Sequence, residues 1–145
     1  MRHIQSKKFF ASDPFILPTQ GKFSSTFGAK RTYNGETQWQ HVGLDIANIK
    51  GTPIVAPNSG KVVLIESLKE HGNTIIIDHG FGVLSVFNHM SKINVAKNQV
   101  VSKGDSIGEI GDTGIATGPH LHWGLSVQNV RVDPLFWINH TELYE

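Results

Sequence analysis

Short β-branched runs separated by turn residues recur about every 8–12 residues through this chain, and that spacing limits the fold more than any other feature. Pro53–Pro57 and Lys61–Ile65 are two such runs, and Asn58-Ser59-Gly60 between them reads as the turn of a hairpin. Asn73–Asp78, with Ile75-Ile76-Ile77 at its centre, and Val83–His89 flank the turn Asp78–Gly82. Val100-Val101 and Ser106–Ile110 lie on either side of Lys103-Gly104-Asp105. His120–Val127 is the last long strand, followed by the turn Gln128-Asn129. Upstream, residues 20–40 are rich in Gly, Ser, Thr, Asn and Gln, which predicts loop with one short strand near Lys22–Phe27. The single helix candidate is short, at Asp133–Trp137, with a proline in its first turn. The expectation is an all-β fold, an antiparallel sheet or sandwich.

At 145 residues the chain suits one domain. Residues 1–13 are polar and basic without a period, and Phe15–Pro18 is an apolar segment that docks before a turn. The division expected is a leader or linker over 1–20 and the working domain over 21–145. With 39% hydrophobic and 17% charged residues the composition is that of a folded protein. A net charge of +1 gives no long-range attraction for nucleic acid. No cysteine is present, which excludes thiolate metal sites, disulfides and a cysteine nucleophile. No apolar run nears the roughly 20 residues of a membrane span. Phe9-Phe10-Ala11 is too short for a secretory core of about 7–15 residues.

Two histidine motifs carry the chemistry. One is His41-Val42-Gly43-Leu44-Asp45; the other is His120-Leu121-His122, preceded by Gly111–Pro119, a run with three glycines. Three imidazoles and a carboxylate suit a catalytic zinc with an open position. On a strand His120 and His122 share a face, roughly 7 Å apart, so both can reach one metal, or one can bind while its neighbour faces the reacting group. His41 and Asp45 would stand about 13 Å apart on a flat strand, too far to share an ion, so a bend at Gly43 is expected. His89 ends a strand in Phe87-Asn88-His89-Met90 and faces the site only if that strand lies beside the one carrying His120. His3 and His140 read as solvated termini, His71 and His79 as turn residues, and Trp123 and Trp137 as core. Tyr33 and Trp39 are candidates for a groove wall or for packing. Two histidines and a carboxylate also form the facial triad of non-haem iron oxygenases, a reading that metal analysis separates.

The ordered set of motifs resembles the lysostaphin-type zinc metallo-endopeptidases that cut peptide cross-links of bacterial cell walls. The matching stretches are His41–Ala47, Gly51–Pro57, Gly60–Val63, Gly72–Gly80, Val101–Gly108 and Thr117–His122, spread over residues 21–138. The resemblance implies zinc held by His41, Asp45 and His122, with His89 and His120 as catalytic histidines. It implies an antiparallel sheet with a substrate groove walled by loops, expected at residues 29–40, 67–72 and 112–118. The implied substrate is the stem peptides or cross-bridges of peptidoglycan, which places the protein in the periplasm or cell wall, expected as a monomer. A non-catalytic wall-binding or activator module of the same fold is the alternative. Two positions depart from many relatives: Phe87 stands where tyrosine is common, and the nearest upstream tyrosine to His41 is Tyr33, eight positions away.

Overall fold

The computed structural model describes residues 14–26, 30–33, 36–40 and 43–138, with side chains for 14–26 and 43–138. Its architecture is nearly all antiparallel sheet. The strands are β1 (Lys22–Ser25), β2 (Lys30–Tyr33), β3 (Glu36–Gln40), β4 (Leu44–Ala47), β5 (Pro53–Val55), β6 (Gly60–Leu68), β7 (Gly72–Gly80) and β8 (Val83–Ile93). They continue with β9 (Val100–Val101), β10 (Ser106–Ile110), β11 (His120–Val127) and β12 (Val130–Val132). Among the described residues one 3-10 turn, Pro134–Trp137, follows; Asp133 caps it by accepting the Leu135 N–H, as a short polar residue before a proline can do. Ten strands form one sheet whose main path runs β1-β4-β11-β8-β7-β6-β9, with β10 beside β8 and β5, and β12 beside β11. β2 and β3 form a separate two-stranded sheet.

The hairpin expected between Pro53–Pro57 and Lys61–Ile65 does not form. β5 pairs with β10, while β6 pairs with β7 and β9. The backbone around β5 is taken elsewhere: the Val55 N–H donates to Pro18 O, the Ala56 N–H to Asp105 O, and Pro57 O accepts from the Ile16 N–H. Residues 14–19 are thereby stitched across this part of the sheet. Phe15 is 2% exposed and bridges in parallel to Ile138.

Alternation along the central strands separates the core from the opposite face. On β11, Leu121, Trp123 and Leu125 enter the core, while His120 and His122 face the other way. On β4, Leu44 and Ile46 go inward, and Asp45 and Ala47 share the histidines' side. The core under them contains Phe87, Met90, Ile75, Ile77 and Trp123, all fully buried. Each such side chain contributes about 1.5–3 kcal/mol through loss of apolar surface to water. That packed layer is the rigid base on which the opposite face is carried.

One buried polar network joins the core to the N-terminal strap. His79 on β7, expected to be a turn residue, is fully buried instead. Ser59 O can only accept, so His79 Nδ1–H donates to it at 2.8 Å. The ring's Nε2 is then an acceptor for the Ser85 hydroxyl at 2.8 Å, and Ser85 Oγ accepts the Trp123 indole N–H at 3.2 Å. Phe15 packs edge-on against His79 with ring centroids 4.9 Å apart.

Candidate active site

Three adjacent strands bring the chemistry together. Asp45 on β4 pairs with His122 on β11, and His122 pairs with Asn88 on β8. Directly paired residues in antiparallel strands project to one side, so the three form a row across the sheet. Because β8 lies beside β11, His89 also reaches the site, the condition set by the sequence.

His89 gets there through a β-bulge. Strict alternation would send Asn88 and His89 to opposite faces. The β7–β8 register slips between Asn73 and Ile75, and His89 takes φ 63°, a left-handed conformation uncommon in non-glycine residues. Phe87 and Met90 consequently both stay in the core, and Asn88 and His89 both face the groove. The His89 N–H donates to His71 O at 2.8 Å, which secures the bulge against the β6–β7 turn.

The groove has a volume of about 690 Å³. Asp45, Asn88, His89, His120 and His122 supply its chemistry, Ser24 and Ser25 of β1 lie on one side, and Glu70, His71 and residues 115–119 line it from loops. Two of the expected loop walls, 67–72 and 112–118, thus contribute. The side chains expected from 29–40, including Tyr33 and Trp39, lie outside the described residues.

Backbone carbonyls orient both catalytic candidates. His89 Nδ1–H donates to Thr113 O at 2.7 Å, and His120 Nδ1–H donates to Gly118 O at 2.9 Å. Carbonyl oxygens only accept, so each neutral ring keeps its lone pair on Nε2. The two rings are 4.8 Å apart between centroids. Burial holds the His89 pKa below the ordinary histidine value, a fall that the Thr113 hydrogen bond opposes and the neighbouring His120 and His122 reinforce.

Thr113 ties the groove wall to the bulge. Its hydroxyl donates to Met90 O at 2.8 Å and accepts the Asn73 N–H at 3.1 Å. Gly72, at φ 68°, packs so closely on Thr113 that a β-carbon there would run into its carbonyl group. This role for the loop was not legible from the glycine-rich run alone.

Asp45 Oδ1 and His122 Nδ1 converge to 2.8 Å. Two atoms each about 2.0–2.1 Å from a tetrahedral zinc would stand about 3.3 Å apart, about 0.5 Å farther than this hydrogen-bond contact, so a metal would have to replace the bond and part the two atoms slightly. An anionic oxygen and an imidazole nitrogen also match the chemistry of zinc donors. Gly43 is required by proximity: a β-carbon there would lie 2.5 Å from His122 Cε1 and 2.9 Å from Trp123 O. The glycine sits at a bend, as expected, and also makes room for the His122 ring. Among the described residues no group of three metal-capable side chains gathers. The third expected ligand, His41, lies outside them.

Comparison with known proteins bears on the family and the fold. The profile of Peptidase family M23 matches residues 39–134. Peptidoglycan DD-endopeptidase ShyA of Vibrio cholerae is 41% identical over 83% of this chain, which spans 28% of that protein. Murein hydrolase activator NlpD of Escherichia coli is 35% identical over 83% of the chain, which spans 30% of it. The chain thus covers less than a third of these relatives. The crystal structure of a zinc-containing peptidase from Vibrio cholerae is 33% identical with a TM-score of 0.78, over 84% of this chain and 39% of that one. The sheet, the groove and the order of the motifs are those of the lysostaphin-type fold, and the chain belongs to Peptidase family M23.

Proposed function

We propose that this chain is a zinc-dependent endopeptidase that hydrolyses peptide cross-links of bacterial peptidoglycan. The observation that carries this reading is the single row Asp45–His122, with donor atoms 2.8 Å apart, beside two histidines whose Nε2 lone pairs are free for the groove. His41, Asp45 and His122 would hold the metal, and His89 and His120 act on the substrate. Bound zinc supplies Lewis acidity toward the scissile carbonyl and lowers the pKa of water to about 7.

The chain's own groups do the proton work. One of the His89–His120 pair, neutral, accepts the proton of the attacking water through Nε2; the other, entering the cycle as imidazolium, delivers its Nε2–H to the leaving amine, so the pair ends with the same number of protons and the roles exchanged. Imidazole suits both tasks because its ordinary pKa is about 6.5. Thr113 O and Gly118 O hold each ring by Nδ1–H and so leave Nε2 as the atom that takes up or releases the proton. No His-Glu-x-x-His motif occurs in the sequence, so these histidines take the place of a glutamate base. The substrate reading follows the endopeptidase relative, and the substrate's position outside the cytoplasmic membrane makes the periplasm or cell wall the proposed location. Residues 21–145 are the proposed peptidase domain, with 14–19 stitched onto it.

The similarity to an activator supports a second reading, a module that binds wall peptides without cutting them. One experiment separates them. Zinc-loaded protein digests purified peptidoglycan, with His122→Ala and His120→Ala alongside, and mass spectrometry reads the released fragments. Cleavage by the wild type is expected, with zinc and activity lost together in His122→Ala. His120→Ala loses activity and keeps zinc. Equal zinc loss in both variants would make His120 a ligand, and no fragments from a folded, zinc-loaded protein would favour the activator.

A further inference from the structure

We infer that Asn88 is a catalytic residue: its side-chain N–H donates to the carbonyl oxygen of the scissile peptide as that oxygen gains charge. The inference rests on the endopeptidase reading above.

The row across the floor continues from Asp45 through His122 to Asn88. Asn88 is 5% exposed, yet it lines the groove. The Thr74 hydroxyl lies 3.0 Å from Asn88 Oδ1 and 3.0 Å from Gly72 O, and its hydrogen is shared between them. That contact orients the carboxamide with its oxygen toward β7, so Nδ2 is the other end. Nδ2 has no hydrogen-bond partner among the described residues. No fully buried side-chain nitrogen or oxygen among them lacks a partner, so Nδ2 must keep some of the residue's small exposure. A primary amide held by one end, with two unspent N–H bonds directed into a groove, is a built donor.

The other floor groups explain why a donor is needed. His89 and His120 spend their Nδ1–H on Thr113 O and Gly118 O and present lone pairs. Asp45 is an acceptor when ionised. His122 turns Nδ1 toward Asp45 and its Nε2 edge toward Gly43. Among the described floor side chains, Asn88 is therefore the one that, in its neutral form, presents fixed, uncommitted N–H donors. A neutral donor already oriented for a developing negative charge stabilises the transition state without reorganisation. The bulge at His89 makes this possible, since regular pairing could not place residues 88 and 89 on one face.

The test compares zinc-loaded wild type, Asn88→Ala and Asn88→Asp on a soluble cross-linked muropeptide. Asn88→Asp keeps size and removes the donor. Loss of a transition-state donor lowers kcat by about 10²-fold or more, with KM within about threefold and zinc content and Tm near wild type in at least one variant. A second readout is independent of turnover. In ¹⁵N-labelled His120→Ala protein, the Asn88 side-chain amide resonances shift when the muropeptide is added. Unchanged kcat in both variants overturns the inference, as does a rise in KM alone or an unmoved Asn88 amide signal. Wild-type cleavage with active variants defeats this inference only, whereas an inactive wild type defeats the endopeptidase reading beneath it.

Discussion

Lowering the pH should weaken the fold chiefly through His79. The ring is fully buried, and burial lowers its pKa from 6.5 to about 4, with the Ser59 carbonyl bond opposing the fall. In the unfolded chain the same imidazole takes up its proton near pH 6.5. The unfolded state therefore binds more protons through this window, and stability rises with pH. The contribution is complete above about pH 6.5 and is lost as the pH falls toward 4. At about 1.4 kcal/mol per pH unit, the full effect is about 3 kcal/mol. That is a large share of the roughly 5–15 kcal/mol by which a domain is stable. The cause is structural: a proton on Nε2 would turn the acceptor for Ser85 Oγ–H into a second donor and place a charge against Phe15 and Trp123. His89 acts in the same direction. The assay is urea unfolding from pH 8 to pH 4, with NMR titration of the histidine Cε1–H signals in the folded protein. The His79 signal should not titrate above about pH 5, while stability falls by at least the amount stated. A His79 signal that titrates near pH 6.5 in folded protein would refute the reasoning, because burial would then not be holding the ring neutral.

Two further predictions follow from close approaches. Gly43→Ala puts a methyl against the His122 ring and Trp123 O, so zinc affinity should fall by about 10–100-fold, as when a ligand's surroundings are disturbed; isothermal titration with zinc measures it, and unchanged affinity would mean the ring moves freely. Gly72→Ala combines φ 68° with a collision at the Thr113 carbonyl. It should cost about 1–3 kcal/mol of stability and displace the group that holds His89 Nδ1. Cleavage should then fall further than the folded fraction measured by circular dichroism, and equal losses would show that Thr113 does not position His89.

Local pattern carried much of this protein. The all-β class, the β7–β8 hairpin, the β11 strand, the capped turn after Asp133 and the shared face of His120 and His122 follow from period-two alternation and turn chemistry, which act over a few residues. The ordered motifs were enough to indicate the family. Pairing partners were less accessible. β5 looked like half of a hairpin with β6, but its edges are taken by β10 and by residues 16–18, which are distant in sequence. Gly43 looked like a bend and is one, but it is also clearance for a ring 79 positions on. His79 looked like a turn residue and is a buried link between β7, β8 and β11. Asn88 gave no signal, because a bulge breaks the alternation by which a facing residue is recognised. The amino-acid sequence by itself named the histidine and carboxylate candidates and placed His89, His120 and His122 on strands. Only the tertiary structure decided which donors meet and which ring nitrogens stay free, because those depend on register, bulges and carbonyls brought together from distant segments.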